Sequence, residues 1–290
     1  MIATKTSRFT TLGLRLLFAV CMISSGIRGE GGFTGGFTTI DVPGAFSTGA
    51  LGINPQGDIV GTYIATTGQH GFLLSNGAFT TVDVPRANST QALGINLEGD
   101  IVGTYATTIA GHGFLLRKGA FTTLDIPSET IDAAAHGINP EGDIVGTYNE
   151  ATHGFLLSKG AFTAIDVPVP GTLRTSAFGI NPQGDIVGTY LAVGTHFTNH
   201  GFLLSKGAFT TIDVPGASVT EVLGINLQGD IVGTYGNATG VHGFLLSKGA
   251  FTTIDVPGAA LTEAFGINPK GDIVGFYVNA TGVHGFLLSK

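Results

Sequence analysis

The feature that most constrains the fold of this chain is an internal repeat. One unit occurs six times, and successive copies follow one another at intervals of 42 to 45 residues. Each copy carries an asparagine at the same place: Asn54, Asn96, Asn139, Asn181, Asn226 and Asn268. A nearly constant period of this length indicates a repeat architecture, in which each unit buries its apolar surface against its neighbours.

Each copy contains four short segments with the character of β-strands. In the first full copy they are ALGIN, DIVGTY, HGFLLS and FTTVDVP. They are rich in β-branched and aromatic residues and are bounded by Gly, Pro and Asn, which is typical of strands joined by tight turns. No stretch after residue 30 has a helical period. Four strands in each of six units predict an all-β fold, a six-bladed β-propeller of four-stranded blades.

The two ends of the repeat region complete each other. A lone copy of the fourth segment, Phe37 to Pro43, precedes the first full unit, and the sequence stops at Lys290, after a third segment. We therefore predict that the N-terminal strand pairs with the C-terminal strands and closes the ring, which removes a free sheet edge. An open β-solenoid is the alternative, but we expect capping units at its ends, and none is visible.

The first 26 residues have the pattern of a secretory signal peptide. Basic residues precede an apolar run from Leu16 to Ile23, and small residues follow it. This run is shorter than the roughly 20 residues that span a bilayer, which disfavours a membrane anchor. We predict a signal peptide at 1–26, a short linker at 27–32 and the propeller at 33–290. The protein is then secreted or extracellular, with the periplasm and the cell surface as variants of that location.

Charge and cysteine content exclude several classes of partner and chemistry. The formal net charge is −7, and the basic residues form no cluster, whereas nucleic-acid binding needs clustered Lys and Arg to neutralise phosphates. The single cysteine, Cys21, lies in the predicted signal peptide, so the mature domain has no disulfide and no cysteine-metal site. Lipid modification of Cys21 is the weaker alternative, because the bulky Val20 precedes it.

Two elements of the unit carry a resemblance to a known family. The first is His70-Gly71-Phe72, and the second is Gly52-Ile53-Asn54 followed, after a turn, by Ile59-Val60-Gly61. The unit resembles that of the bacterial "probable extracellular repeat, HAF family", whose His-Ala-Phe strand is joined to a Gly-Ile-Asn element. The resemblance covers residues 33–290, with Gly in place of the Ala. It implies an extracellular location and adds no catalytic residue.

Residues that recur in every unit are interpreted as structural. Six histidines share one position: His70, His112, His153, His200, His242 and His284. A catalytic or metal centre needs a few convergent groups, whereas residues repeated once per blade are held apart around the ring. We therefore expect each His to bond within its own blade. The Asp58 and Asp83 sets are interpreted likewise, and each Asn54 equivalent is expected to cap its turn, although a ring of them at a channel mouth is the alternative cation site.

Irregularities among the copies supply the candidate site residues. His136 stands where the other copies have Leu or Phe. The fourth unit has two long loops, Val169–Ser176 and Leu191–Asn199. We therefore take His136, Arg174, His196 and Asn199 as candidate ligand-binding residues. The sequence contains no enzyme motif, so no catalytic residue, metal or cofactor is predicted.

The turns predict two chemically different faces of the disc. Turns between the first and second and between the third and fourth segments are short and similar, and define a uniform face. The other connections vary and define a variable face, where binding is expected. The uniform face gathers Lys118, Lys159, Lys206, Lys248 and Lys270, and the variable face gathers Glu129, Asp132, Glu150, Glu221 and Glu263.

The sequence thus favours a secreted binding or interaction module for an unidentified extracellular ligand or protein, acting as a monomer with no nucleic-acid partner and no stable membrane span. One alternative is an extracellular propeller enzyme, a hydrolase or lyase with its site at one channel mouth. Another is a structural envelope component. Fold alone does not decide among them.

Overall fold

The computed structural model describes residues 36–124, 132–149, 152–193 and 197–290. The predicted signal peptide, the linker, His196, Glu129 and Glu150 lie outside the described residues. Within them every regular element is a β-strand, and no helix long and apolar enough to cross a membrane is found there.

The described residues form twenty-four strands. They are β1 (Phe37–Ile40), β2 (Ser47–Ile53), β3 (Ile59–Ala65), β4 (Gly68–Ser75), β5 (Ala78–Val82), β6 (Ser89–Ile95), β7 (Ile101–Ala106), β8 (Gly111–Arg117), β9 (Ala120–Leu124), β10 (Ala133–Ile138), β11 (Ile144–Tyr148), β12 (His153–Ser158), β13 (Ala161–Ile165), β14 (Thr172–Ile180), β15 (Ile186–Val193), β16 (Phe197–Ser205), β17 (Ala208–Ile212), β18 (Val219–Ile225), β19 (Ile231–Asn237), β20 (Gly240–Ser247), β21 (Ala250–Ile254), β22 (Leu261–Ile267), β23 (Ile273–Asn279) and β24 (Gly282–Leu288).

Strands that follow one another within a unit pair antiparallel, as in a meander. Four sheets have four strands each: β6–β9, β10–β13, β14–β17 and β18–β21. The remaining eight strands form one sheet, in which β22, β23, β24 and β1 join β2 to β5. The prediction of six separate four-stranded sheets is therefore corrected: one parallel bridge, Ser47 to Val283, merges two of them.

The predicted pairing of the two ends is confirmed. Strand β1 runs antiparallel to β24, from Phe37 opposite Leu288 to Ile40 opposite Gly285. Ile40 is buried, and it packs in one apolar cluster with Ala50, Phe72 and Val274. The N-terminal strand thus completes the sheet of the C-terminal unit and helps to bury it against the first full unit.

Turns of the uniform face follow directly from their residues. In Ser158-Lys159-Gly160, Lys159 has a φ of 51° and Gly160 a φ of 80°. Two successive positive φ angles define the tight hairpin turn that matches the right-handed twist of its strands. Consecutive strands within a unit are antiparallel. The turn between its first and second strands and the turn between its third and fourth strands therefore lie at one end, and the variable connections lie at the other. This strand order gives the molecule the two predicted faces.

Glycines in the inner strands allow neighbouring sheets to approach closely. A Cβ on Gly52 would lie 2.9 Å from the carbonyl oxygen of Leu93 and 3.2 Å from the Cα of Gly94 in the next sheet. The Phe72 ring fills the space left by a second glycine, since a Cβ on Gly61 would lie 2.7 Å from it. Phe72 and its five equivalents are at most 1% exposed. The repeated Gly and Phe therefore belong to one packing unit.

Candidate functional site

The repeated asparagines hold the inner strands together. In the first unit the Asn54 side-chain oxygen accepts the backbone N–H groups of Gln56, Gly57 and Asp58, at 2.9 to 3.0 Å. Its amide nitrogen donates to the carbonyl oxygen of Asn96 in the next unit. Equivalent bonds run from Asn96 to Asn139, from Asn139 to Asn181 and from Asn226 to Asn268, and the last runs from Asn268 back to Asn54. Turn capping is thus confirmed, and because both ends of the amide are used, this ring is not a cation site.

A narrow channel of about 110 Å³ runs between the inner strands. Ligand pockets for drug-sized molecules are roughly 300–1,000 Å³, so the middle of this channel has room for only a few water molecules. One position of each inner strand contributes a large side chain to the wall: Leu51, Leu93, His136, Phe178, Leu223 and Phe265.

His136 lies in this channel and is a neutral wall residue. Its Nε2 is 3.2 Å from the Thr147 hydroxyl oxygen, and its ring packs edge-on against Phe178 with centroids 4.9 Å apart. Protein surrounds the ring, and this burial lowers the pKa of His136 from 6.5 to about 4. At neutral pH the ring carries no charge. The structure therefore gives His136 packing and a single polar contact within its own sheet.

The repeated histidines bind the aspartates of the fourth strand, as a structural role predicts. The His70 Nδ1 is 2.8 Å from Asp83, and the His70 ring stacks on Tyr63. The His284 ring makes the same contact with Asp41 across the two ends of the chain, at 3.0 Å. Three further pairs repeat this geometry: His153 with Asp166, His200 with Asp213, and His242 with Asp255.

In three units a threonine adds a Thr-His-Asp line that resembles a catalytic triad. The Thr239 hydroxyl oxygen is 2.8 Å from His242 Nε2, but it is also 2.6 Å from the Asn237 side-chain oxygen, Oδ1. Because that oxygen can only accept, the Thr239 hydroxyl donates its proton there and not to the histidine. Thr281 and Asn279 repeat the arrangement. In these two units the line anchors a loop, whereas in the first unit the Thr67 hydroxyl, 2.8 Å from His70 Nε2, has Ala65 in place of the asparagine.

Two of the predicted site residues share one face of their sheet. Arg174 on β14 is exposed and pairs with Leu191 on β15, which in turn pairs with Asn199 on β16. Side chains of directly paired residues project from the same side of a sheet. The Asn199 amide nitrogen donates to Glu221 Oε1 on β18 at 2.7 Å. Asn199 therefore links two neighbouring sheets, whereas His136 lies on a different sheet, within the channel.

Sequence reasoning placed Glu221 and Glu263 on the variable face but did not single them out. They occupy one position of the inner strand, at which the six copies have Gly49, Gln91, Ala134, Ser176, Glu221 and Glu263. The sequence does contain a signal for them: two of the six copies have a carboxylate at this position, whereas the other four have an uncharged residue. Both glutamates lie at the third residue of their strands, near the variable-face end of the channel.

The Glu263 carboxyl is the most perturbed acidic group. Burial, and after it the negative charge of Glu221, raise its pKa from 4.5 to about 8. Phe276 pairs with Glu263 and stacks on Phe265 with centroids 5.6 Å apart. Phe276 replaces the threonine of the other five copies, so an apolar ring stands beside the carboxyl. At neutral pH Glu263 is therefore mostly protonated.

Exposed apolar side chains surround this end of the molecule. Phe46, Ile109 and Leu173 belong to connections of the variable face and are 66%, 78% and 52% exposed. No group of three or more His, Cys, Asp or Glu side chains able to hold a metal ion occurs among the described residues. The arrangement thus combines a carboxyl pair near the channel mouth with an apolar rim.

The meander sheets and the central channel define an all-β propeller. Solved structures support this fold. The chain is similar to a streptogramin B lyase, with a TM-score of 0.50, 13% identity, and coverage of 87% of this chain and 97% of that one. It is also similar to an inactive virginiamycin B lyase from Staphylococcus aureus solved with quinupristin, with a TM-score of 0.51, 14% identity, and coverage of 88% and 99%. At these identities the likeness shows the fold alone.

No family model matches this chain, and no curated protein matches it.

Proposed function

We propose that this chain is a secreted ligand-binding module built on a six-bladed propeller, with its ligand site at the variable-face end of the channel. Two observations support six blades. A single bridge, between Ser47 and Val283, joins the halves of the eight-stranded sheet, so each half counts as a blade. An asparagine side chain bonds to the backbone of the next unit at five of the six junctions between units, including the one from Asn268 back to Asn54. Secretion and membership of the HAF repeat family are proposed from the sequence alone.

The observation that carries this proposal is the polar group formed by Asn199, Glu221 and Glu263 near the channel mouth. This polar group departs from the repeat, whereas the residues with structural roles recur from copy to copy. The group lies beside the variable loops. Binding sites favour variable loops on a rigid scaffold. Exposed apolar side chains in the same loops, such as Phe46 and Leu173, supply area for a ligand to bury.

The test compares variants of the two faces. A screen of glycans, small molecules and extracellular proteins against the mature chain identifies a ligand. Shortening Val169–Ser176 and Leu191–Asn199 to the length of the other copies should then reduce its affinity at least tenfold. The matched control replaces Lys118, Lys159, Lys206 and Lys248 by Ser and should leave the affinity unchanged. Retained affinity in the loop variant, with loss in the lysine variant, would place the ligand on the uniform face.

A second candidate, an extracellular lyase or hydrolase, is favoured by one specific observation. Glu263, whose pKa is raised to about 8, feels the charge of a second carboxyl, Glu221, and a pair of carboxyl groups can serve as general acid and general base. An enzyme would convert the ligand found in the screen into a product. Glu263→Gln would then abolish this turnover and preserve the binding of the ligand that depends on the variable loops. A ligand recovered unchanged after prolonged incubation supports the binding module.

A further inference from the structure

One His-Asp pair differs from the others in what its threonine can do. In the first unit the Thr67 hydroxyl oxygen is 2.8 Å from His70 Nε2, and His70 Nδ1 is 2.8 Å from Asp83. A carboxylate oxygen only accepts hydrogen bonds, so Nδ1 carries a proton and donates it to Asp83. The Nε2 atom of the neutral ring is then the acceptor for the Thr67 hydroxyl. A hydroxyl, an imidazole and a carboxylate in this order form the arrangement that activates a nucleophile.

The fifth and sixth units have the same Thr-x-x-His spacing but a different proton acceptor. There an asparagine two residues before the threonine accepts both the hydroxyl proton and the backbone N–H of that threonine, as Asn237 does for Thr239. Ala65 stands at the corresponding position of the first unit. The Thr67 hydroxyl can therefore donate to His70, and no described residue accepts the Thr67 backbone N–H.

The hairpin that carries Thr67 is open on its outer side. Thr67 is exposed, and a Cβ on the adjacent Gly68 would have only the Asn88 carbonyl oxygen within 4 Å, at 3.9 Å. The His70 ring stacks on the Tyr63 ring, with centroids 5.1 Å apart. A substrate can thus reach the hydroxyl while the base behind it keeps its orientation.

Apolar side chains accompany this hairpin. Ile64, three residues before Thr67, is 37% exposed, and Phe46 is 66% exposed. The Phe46 backbone N–H donates to the Ile64 carbonyl oxygen at 2.7 Å, so Phe46 lies beside the strand that leads to Thr67. Exposed apolar surface of this kind can hold the acyl part of a substrate.

We propose that the first unit hydrolyses carboxylic esters, with Thr67 as the nucleophile, His70 as the general base and Asp83 as a positioning residue. This activity goes beyond the ligand binding proposed above and uses other residues. An ester suits the site better than an amide, because an alkoxide leaves more readily than an amine. The Thr67 backbone N–H, next to the nucleophile, is available to stabilise the oxyanion.

The reaction has two steps. The Thr67 Oγ1 attacks the ester carbonyl carbon while His70 Nε2 takes the hydroxyl proton, and the bond to the alkoxide then breaks as His70 returns that proton to form the alcohol. Water next attacks the acyl-threonine and gives its proton to His70. The Thr67 oxygen leaves, recovers the proton from His70, and the carboxylic acid is released.

Covalent labelling of the mature chain with a fluorophosphonate, mapped by mass spectrometry, tests the nucleophile. The Thr67 oxygen would bond to phosphorus, fluoride would leave, and the proton would pass through His70 to water. Thr67 should be labelled at least about a hundredfold faster than Thr239 and Thr281, which serve as controls within the same molecule. Thr67→Val should remove the label and lower hydrolysis of p-nitrophenyl butyrate to the background rate.

Variants of the base and of its carboxylate test the roles of the other two residues. His70→Ala should slow labelling by about a hundredfold or more, since general base catalysis contributes about that much. Asp83→Asn should slow it at least about tenfold, because an amide N–H would face Nδ1 and place the ring proton on Nε2. Asp83→Glu should recover part of the rate. Asp255→Asn makes the same change in the fifth unit and should label as the parent does.

The asparagine explains the difference between the units only if it can be transferred. Ala65→Asn should silence Thr67 without a change in melting temperature, because it supplies the acceptor that the fifth and sixth units have. Asn279→Ala should conversely make Thr281 reactive. Equal labelling of the three threonines, or a rate that His70→Ala leaves unchanged, would overturn the proposal. Either result would leave the proposed binding function standing, because that function depends on the loops of the fourth unit.

Discussion

At the scale of single residues, the departures from the repeat are more informative than the repeat itself. His70 and Asn54 recur because each stabilises the turn or strand of its own unit, and their hydrogen-bonding groups are used there. Glu263 breaks the pattern, since it introduces a carboxyl at a position where four copies have an uncharged residue. Its environment disfavours the charged form, so such a residue marks a candidate for function.

The first residue-scale prediction concerns stability against pH. Between pH 4.5 and about 8 the unfolded chain loses the Glu263 proton, whereas the folded chain retains it. The folded state then binds more protons, so this residue lowers the free energy of unfolding by about 1.4 kcal/mol for each rise of one pH unit in that window. Glu263→Gln should therefore gain thermal stability relative to the parent as the pH rises from 5 to 8.

Thermal melting of parent and variant at several pH values provides the measurement, with Glu141→Gln as the control. A melting-temperature difference between Glu263→Gln and the parent that does not change from pH 5 to pH 8 would contradict the raised pKa.

At the scale of strands and sheets, closure depends on one short element. Strand β1 supplies the outer strand of the last unit, buries Ile40 and places Asp41 against His284. Its neighbour β24 otherwise has an unpaired edge, which is a site of aggregation. The tight turns need no such support, because each joins strands that are already adjacent in sequence.

We predict that deletion of Phe37–Pro43 lowers the free energy of unfolding by several kcal/mol or causes aggregation, because it removes a buried strand and exposes an edge. Thermal melting and light scattering measure the two effects. The control removes Thr108 and Ile109, which are exposed residues of the loop between β7 and β8. If the variant without Phe37–Pro43 melts at the same temperature as the parent while the control variant does not, the pairing of β1 with β24 does not stabilise the fold.

At the scale of the whole molecule, the propeller separates a uniform face from a variable one. Consecutive strands within each unit are antiparallel, so strand order alone assigns each connection to a face. This arrangement lets the loops vary without change to the packed inner strands. A propeller can therefore serve as a scaffold for binding or for catalysis, and the fold alone does not assign a function.

The whole-molecule prediction concerns export. If residues 1–26 direct secretion, protein recovered outside the cytoplasm should begin between Ser25 and Gly32, as read by mass spectrometry of the intact chain. Replacing two leucines of the apolar run by arginine should retain the protein in the cell, whereas the same change in the uniform-face turns should not affect export. An intact Met1 start on exported protein would exclude cleavage.

The sequence by itself determined the strands, their order and the pairing of the two ends, because a repeat of short apolar segments and tight turns is encoded locally in every copy. It also predicted the structural roles of the asparagines and histidines. Of the candidate site, it located Asn199 and placed the two glutamates on the correct face. Only the tertiary structure decided which groups meet there: the Asn199 amide donates to Glu221, and the charge of Glu221 acts on Glu263. Those contacts join residues of different sheets, and burial and charge act through space, so no pattern along the chain specifies them.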